Sequence, residues 1–251
     1  MIQFFRQFLA KNRSDIQNFT AKALPERPLY AIGDIHGRND LLGPLLTKIE
    51  THANGTPYDL VTVGDYVDRG EDASGVLSCL QSLSDLPHVT CLMGNHERML
   101  LDFIDDPAKN GRRWFRNGGL QTLASFGVGG LTENARPEAM ALGKDQLLEA
   151  LGDLEPWLRA RPLCFQSGNI AVVHAGAKPN LPIAEQPDKT LLWGHPAFFR
   201  EVRGDGIWVI HGHTIVETAR AEAGRISIDT GAYATGKLTA VVCDGGHMGF
   251  L

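Results

Sequence analysis

A chain of 251 residues with a formal net charge of −5 has room for one large core and little room for two. Its composition, 43% apolar and 21% charged, is that of a globular protein rather than a disordered or fibrous one. The acidic balance excludes a bulk nucleic-acid binder, so any anionic ligand must be attracted locally, by metals or a few arginines.

The opening residues carry Phe4, Phe5, Phe8 and Leu9 beside Arg6, Lys11 and Arg13. They read as a short amphipathic helix. It could pack on the domain, on a second copy, or on a membrane surface; the residues do not choose, and the oligomeric state stays open. Ala23–Pro28 (ALPERP) reads as a linker, giving an extension over 1–26 and a main domain over 27–251. No apolar run approaches the ~20 residues of a membrane span, and no cleavage pattern of a secretory leader is present. Cys79, Cys91, Cys164 and Cys243 lack zinc or disulfide spacing. They read as free thiols in a reducing compartment, so the expected location is the cytoplasm.

Pro28–Ile32 reads as a buried strand ending at Gly33, followed by a helix over 39–52 from the spacing of Leu41, Leu42, Leu45, Leu46 and Ile49. The pattern repeats. A strand over 60–63 precedes a helix over 73–83, and a strand over 88–93 precedes a helix bearing Met99, Leu100, Phe103 and Ile104. Such βαβαβ alternation marks a sheet with helices laid against it. Residues 105–162 carry few strand signals. A helix over 144–160 stands out within them, and the segment reads as a helical insertion or lid. Strands return over 170–173, 207–210, 226–228 and 238–242, the last two close enough in sequence to suggest a hairpin.

Nearly every apolar strand ends in a glycine-flanked Asp, Asn or His: GDIHG at 33–37, GDYVDRG at 64–70, GNHE at 94–97, VHAG at 173–176 and GHT at 212–214. Strand ends of a layered sheet converge on one edge, and glycine lets the backbone turn there. Carboxylate, imidazole and carboxamide are hard or borderline ligands suited to Mn²⁺, Fe or Zn²⁺. Singly each piece could be a turn or a helix cap; five in sequence point to a metal centre.

These motifs resemble those of the calcineurin-like metallophosphoesterases, and within them the phosphoprotein-phosphatase branch with its bacterial and phage members. The resemblance runs from about Leu29 to Val242, and Asp229–Tyr233 (DTGAY) looks like the family's closing segment. It implies an α/β fold of mixed sheets in a four-layer α/β/β/α sandwich, and two divalent ions, Mn²⁺ first and Fe or Zn²⁺ open. By the same resemblance Asp34 and His36 would hold one ion, Asp65 would bridge, and Asn95, His174 and His213 would hold the other. The implied reaction is direct attack by a metal-bridged hydroxide on a phosphate ester. His96 would serve as general acid, Asp68 as its partner, and Arg69 would hold phosphate with help from Asn95.

One departure concerns the grip on substrate. Bacterial and phage relatives often carry a second phosphate arginine two residues after a tryptophan, and here Trp193 is followed by Gly194 and His195. His195 itself, Arg200 or Arg203 could substitute. The expected substrate is a phosphorylated protein or a small phosphoester, with symmetrical bis(5'-nucleosyl)-tetraphosphatase activity as the alternative. A scaffold without catalysis is the reading that the full ligand set argues against.

Overall fold

The computed structural model describes residues 19–251. The expected N-terminal helix lies outside them. Two five-stranded sheets form the frame. The first contains β1 (Leu29–Ile32), β2 (Asp59–Thr62), β3 (Val89–Cys91), β9 (Ala240–Asp244) and β10 (His247–Phe250), in the order β10-β9-β1-β2-β3. The second contains β4 (Cys164–Ser167), β5 (Ile170–Val173), β6 (Trp208–His211), β7 (Arg220–Glu222) and β8 (Arg225–Ser227), in the order β4-β5-β6-β8-β7.

β1, β2 and β3 are mutually parallel, and so are β5, β6 and β8. Parallel strands need crossovers. In the first sheet these are α1 (Asn39–Ala53) and α2 (Ala73–Leu83), with α3 (Asn95–Asp105) leaving β3. Each helix sends one apolar face to the sheet: Leu42, Leu45 and Ile49 from α1, and Val76, Leu77 and Leu80 from α2. Between the sheets lies a second core of alternate strand residues. Leu29, Ala31, Val61 and Val63 meet Ile170, Val172, Ile210 and Ile226. The far face of the second sheet is covered more thinly, by a six-residue helix and 3₁₀ turns around Phe198, Leu191 and Ile183.

From Asp105 to Pro162 every regular element is helical. They are α4 (Pro107–Trp114), a π turn at Phe115–Gly119, α5 (Leu120–Ser125), α6 (Pro137–Leu151) and α7 (Leu154–Arg159). The helix expected over 144–160 is really two. It begins earlier, where Pro137 occupies the first turn, and breaks at Gly152, whose φ is 50°. The last helices are α8 (Asp188–Trp193) and α9 (Ala232–Thr235).

The expected hairpin between 226–228 and 238–242 does not form. β8 pairs with β7 and β6, whereas β9 pairs with β1 and β10. The intervening residues cross from one sheet to the other over the strand ends, and α9 lies on that crossing.

The linker is a packed strap. Asn169, in the β4–β5 turn, accepts from Leu24 N at 2.7 Å and donates to Lys22 O at 2.8 Å and Gly206 O at 3.0 Å. Trp208 donates to Ala21 O at 2.9 Å and meets Phe19 edge-on. Asn169→Ala removes three of these bonds at once. It should lower the unfolding free energy by about 1–3 kcal/mol, measured by urea titration.

Candidate metal centre

The carboxyl ends of β1, β2, β3, β5, β6 and β8 deliver Asp34 and His36, Asp65 to Arg69, Asn95 and His96, His174, His213, and Asp229 to one place. The loops are forced into position. Five of the seven described non-glycine residues with positive φ are His36, Asp65, Asp68, Arg69 and His213. Left-handed backbone costs about 1–2 kcal/mol for such residues, and here it clusters at one site. Gly64 permits one close approach. A Cβ there would stand 2.4 Å from Gly94 N, at a φ of 105°.

One carboxylate ties the turns together. Glu97 accepts from Gly94 N at 2.9 Å, Asp65 N at 2.8 Å, Tyr66 N at 2.7 Å and Val67 N at 3.2 Å. Burial and the Asp65 charge push it up to about 7, against the pull of those N–H groups.

The Asp65 carboxylate stands centrally. Oδ2 lies 3.5 Å from His36 Nε2 and 3.8 Å from His96 Nε2, and Oδ1 lies 3.4 Å from His174 Nε2. Asn95 Oδ1 is 2.8 Å from His174 Nε2 and 2.7 Å from His213 Nδ1. His213 N donates to both oxygens of Asp34, at 3.2 and 3.1 Å. Asp34, His36, Asp65, Asn95, His174 and His213 thus share one cluster, all buried except the half-buried His213.

Two observations test whether this cluster fits cations. His174 faces oxygen acceptors from both ring nitrogens, Val63 O at 3.0 Å and Asn95 Oδ1 at 2.8 Å. Burial lowers its pKa to about 4, so at neutral pH the ring has one proton for two acceptors. A cation between Nε2 and Oδ1 removes that conflict, and Nδ1–H on a backbone carbonyl is a common support for a ligating imidazole. His36 is held likewise, Nδ1 on Val67 O at 2.8 Å, and burial takes it down to about 3. Carboxylates are also crowded. Burial and the nearby Asp229 and Asp65 hold Asp34 well above its usual range, and burial takes Asp229 up to about 6. The donor chemistry fits divalent metal ions about Asp65, whose carboxylate has His36 and His96 near it in one group and His174 and His213 in another.

Beside the cluster, His96 Nδ1 lies 2.6 Å from Asp68 Oδ2. Asp68 has further partners that the sequence did not reveal. Trp114 Nε1 donates to both carboxylate oxygens at 3.0 Å, and Thr122 Oγ1 donates to Oδ1 at 2.7 Å. Both residues come from the helical insertion. Burial works against a charged His96, yet Asp65 and Asp68 outweigh it and raise its pKa. Arg69 reaches His36 Nε2 and His96 Nε2, each at 3.0 Å, and its guanidinium lies 4.8 Å from the Tyr233 ring centre. Next to it is a groove of about 480 Å³ lined by Arg38, Asp40, Arg69, Glu71, Asp72 and Tyr233.

Two residues expected at the substrate, Arg203 and His195, have protein partners of their own. Arg203 is buried, with four of its five N–H groups spent on Lys178 O, Leu181 O and Asp205, which leaves no two-pronged fork for phosphate. His195 uses Nδ1 to cap the turn at Pro196–Phe199, accepting from Ala197 N at 3.2 Å. Arg200 is exposed at the end of that turn. His211 turns away from the cluster, to Ser227 Oγ at 2.9 Å and the Phe198 and Phe199 rings.

The pattern of the calcineurin-like phosphoesterases matches residues 27–217. The chain belongs to that family. Its members use divalent ions in a binuclear centre. The chain is 28% identical to serine/threonine-protein phosphatase 2 of Salmonella typhimurium over 227 residues, 85% of this chain and 91% of the relative. It is 24% identical to the asymmetrical bis(5'-nucleosyl)-tetraphosphatase PrpE of Halalkalibacterium halodurans, over 84% of this chain and 87% of the relative. The crystal structure of a proposed diadenosine tetraphosphatase shares the fold with a TM-score of 0.62 at 22% identity, covering 92% of this chain and 98% of that one. The chain is therefore a metal-dependent hydrolase of phosphoester bonds.

Loading with Mn²⁺ should raise the melting midpoint, by the equivalent of about 2.7 kcal/mol when the ion is at a hundredfold its dissociation constant. In Asp65→Asn and His174→Ala that rise should vanish, and elemental analysis should find little bound metal.

Proposed function

We propose that this phosphoesterase is a phosphomonoesterase of the serine/threonine protein phosphatase type, working in the cytoplasm on phosphorylated proteins or small phosphate esters. The observation that carries the reading is the His96–Asp68 pair at the edge of the ligand cluster, braced by Trp114 and Thr122. Alkoxide leaving groups such as serine need a proton, and an imidazolium is matched to that task near neutral pH.

Two divalent ions, Mn²⁺ by preference, would supply a nucleophilic hydroxide at neutral pH and neutralise phosphate charge. Asp34, His36, Asp65, Asn95, His174 and His213 hold them. His96 points Nε2 at the same space and gives its proton to the leaving oxygen, while Asp68 keeps the ring charged and oriented. Arg69 now rests on two imidazole nitrogens. If His36 Nε2 holds an ion, it no longer accepts from Arg69, and the guanidinium would have N–H groups to offer phosphate oxygens. Asn95 would assist that grip with its carboxamide.

Dinucleoside tetraphosphatase activity is the second reading. It is favoured by relatives of that name, which match this chain over a comparable length. Its leaving group is a phosphate, which needs little help from an acid. The braced His96–Asp68 pair therefore weighs toward the monoester reading.

A panel of phosphoserine peptide, phosphotyrosine peptide, p-nitrophenyl phosphate and diadenosine tetraphosphate, assayed with defined metals, tests the choice. The phosphoserine peptide should give the highest kcat/KM, and a clear preference for diadenosine tetraphosphate would overturn the reading. His96→Asn should keep its metals and lose about 10²–10⁴-fold in kcat on the phosphoserine peptide. On p-nitrophenyl phosphate, whose leaving group needs no proton, the loss should be much smaller.

A further inference from the structure

The mouth of the metal centre has two unlike walls. On the Arg69 side lies the groove with Asp40, Glu71 and Asp72. On the other side stands Trp193, at the end of α8, its ring edge-on to His213 with 6.4 Å between centres. The guanidinium of Arg113, from α4 of the insertion, lies 4.5 Å from the centre of that indole.

Stacking fixes a guanidinium without consuming its donors. The charge rests on the π face while the N–H bonds, in the guanidinium plane, stay available to an oxyanion. Nearby arginines are differently placed. Arg38 gives its N–H groups to Asp40 and Ala232 O, Arg203 is spent inside the fold, and Arg116 pairs with Glu133 at 3.6 Å. Arg113 is exposed and forms no ion pair among the described residues. Lys109 and Arg112 are exposed on the same helix, opposite buried Gly111 and Trp114. In a chain of net charge −5, this makes a local basic wall next to a metal ligand.

We propose that Arg113 is a substrate-binding residue that receives a second anionic group, carried by the substrate beside the phosphate that is hydrolysed. Arg113 and His213 meet the same indole, so the guanidinium stands near the metal centre on a wall of its mouth rather than among the ligand groups. A substrate whose phosphate sits at the centre would bring a neighbouring group toward Arg113. A carboxylate flanking a phosphoserine and a further phosphate of a nucleotide share the required chemistry. The inference rests on the phosphoesterase reading of the centre, and the favoured source is an acidic residue next to a phosphoserine.

The test uses metal-loaded protein and four substrates: p-nitrophenyl phosphate, a phosphoserine peptide flanked by Glu, the same peptide flanked by Lys, and diadenosine tetraphosphate. Arg113→Ala should lower kcat/KM for the Glu-flanked peptide about fivefold more than for p-nitrophenyl phosphate, chiefly through KM, and salt should shrink the difference. Arg113→Glu should reverse the ranking and favour the Lys-flanked peptide, a gain that no purely structural role produces. Metal content and melting midpoint are measured alongside. Equal losses on every substrate, or an unaltered ratio in both variants, would sink the proposal. Should only diadenosine tetraphosphate be hydrolysed among the natural esters, the protein phosphatase reading falls. Arg113 is then judged by the same ratio between that substrate and p-nitrophenyl phosphate.

Discussion

The fold is organised around a concentration of buried acceptors faced by only Arg69 and His96 as nearby cationic groups. Asp34, Asp65, Asp229, Asn95 and neutral His36 and His174 crowd one end of two sheets. Burying such groups costs several kcal/mol each unless they are paired, and divalent cations among them would offset that cost. Everything nearby holds the acceptors in place. Left-handed backbone at His36, Asp65 and His213 turns the side chains inward, and Glu97 fastens the two loops that would otherwise relax. The strain is carried by the two cores behind the site, where strands and helices pack without polar interruption.

The sheets divide the work. The first supplies Asp34, His36, Asp65 and Asn95, and the second supplies His174 and His213. The inter-sheet core, Val61 and Val63 against Val172 and Ile210, therefore sets the relative placement of the ligand groups. A parallel arrangement in both sheets is what brings six chain-distant strand ends to the same edge.

Much of this was legible in the sequence, for physical reasons. Strands β1, β2, β5 and β6 are buried on both faces, so they appear as short, mostly apolar runs with a glycine close behind. Strands β4, β7 and β10 were missed. All three are edge strands, and β7, exposed at every residue, carries no apolar pattern to read. The β8–β9 pairing was misjudged because nearness in sequence favours a hairpin, while the inter-sheet crossing is dictated by which core each strand fills. The ligand residues were legible because each lies near a strand end and within two residues of a glycine. Trp114, Thr122 and Arg113 were not, since a tryptophan or arginine in a helical segment gives no sign of a partner more than forty residues away. Arg203 misled for the converse reason, because its carbonyl partners are invisible in sequence.

The bracing of Asp68 has a consequence for how this architecture could change over time. Trp114 and Thr122 lie in the segment that looks most like an accessory, yet they hold the carboxylate that orients His96. Trimming that segment to a minimal scaffold would leave the ligand groups on their strands and strip His96 of its braced partner. Lineages that remodel these helices to suit new substrates must therefore keep two anchor points fixed while the rest drifts.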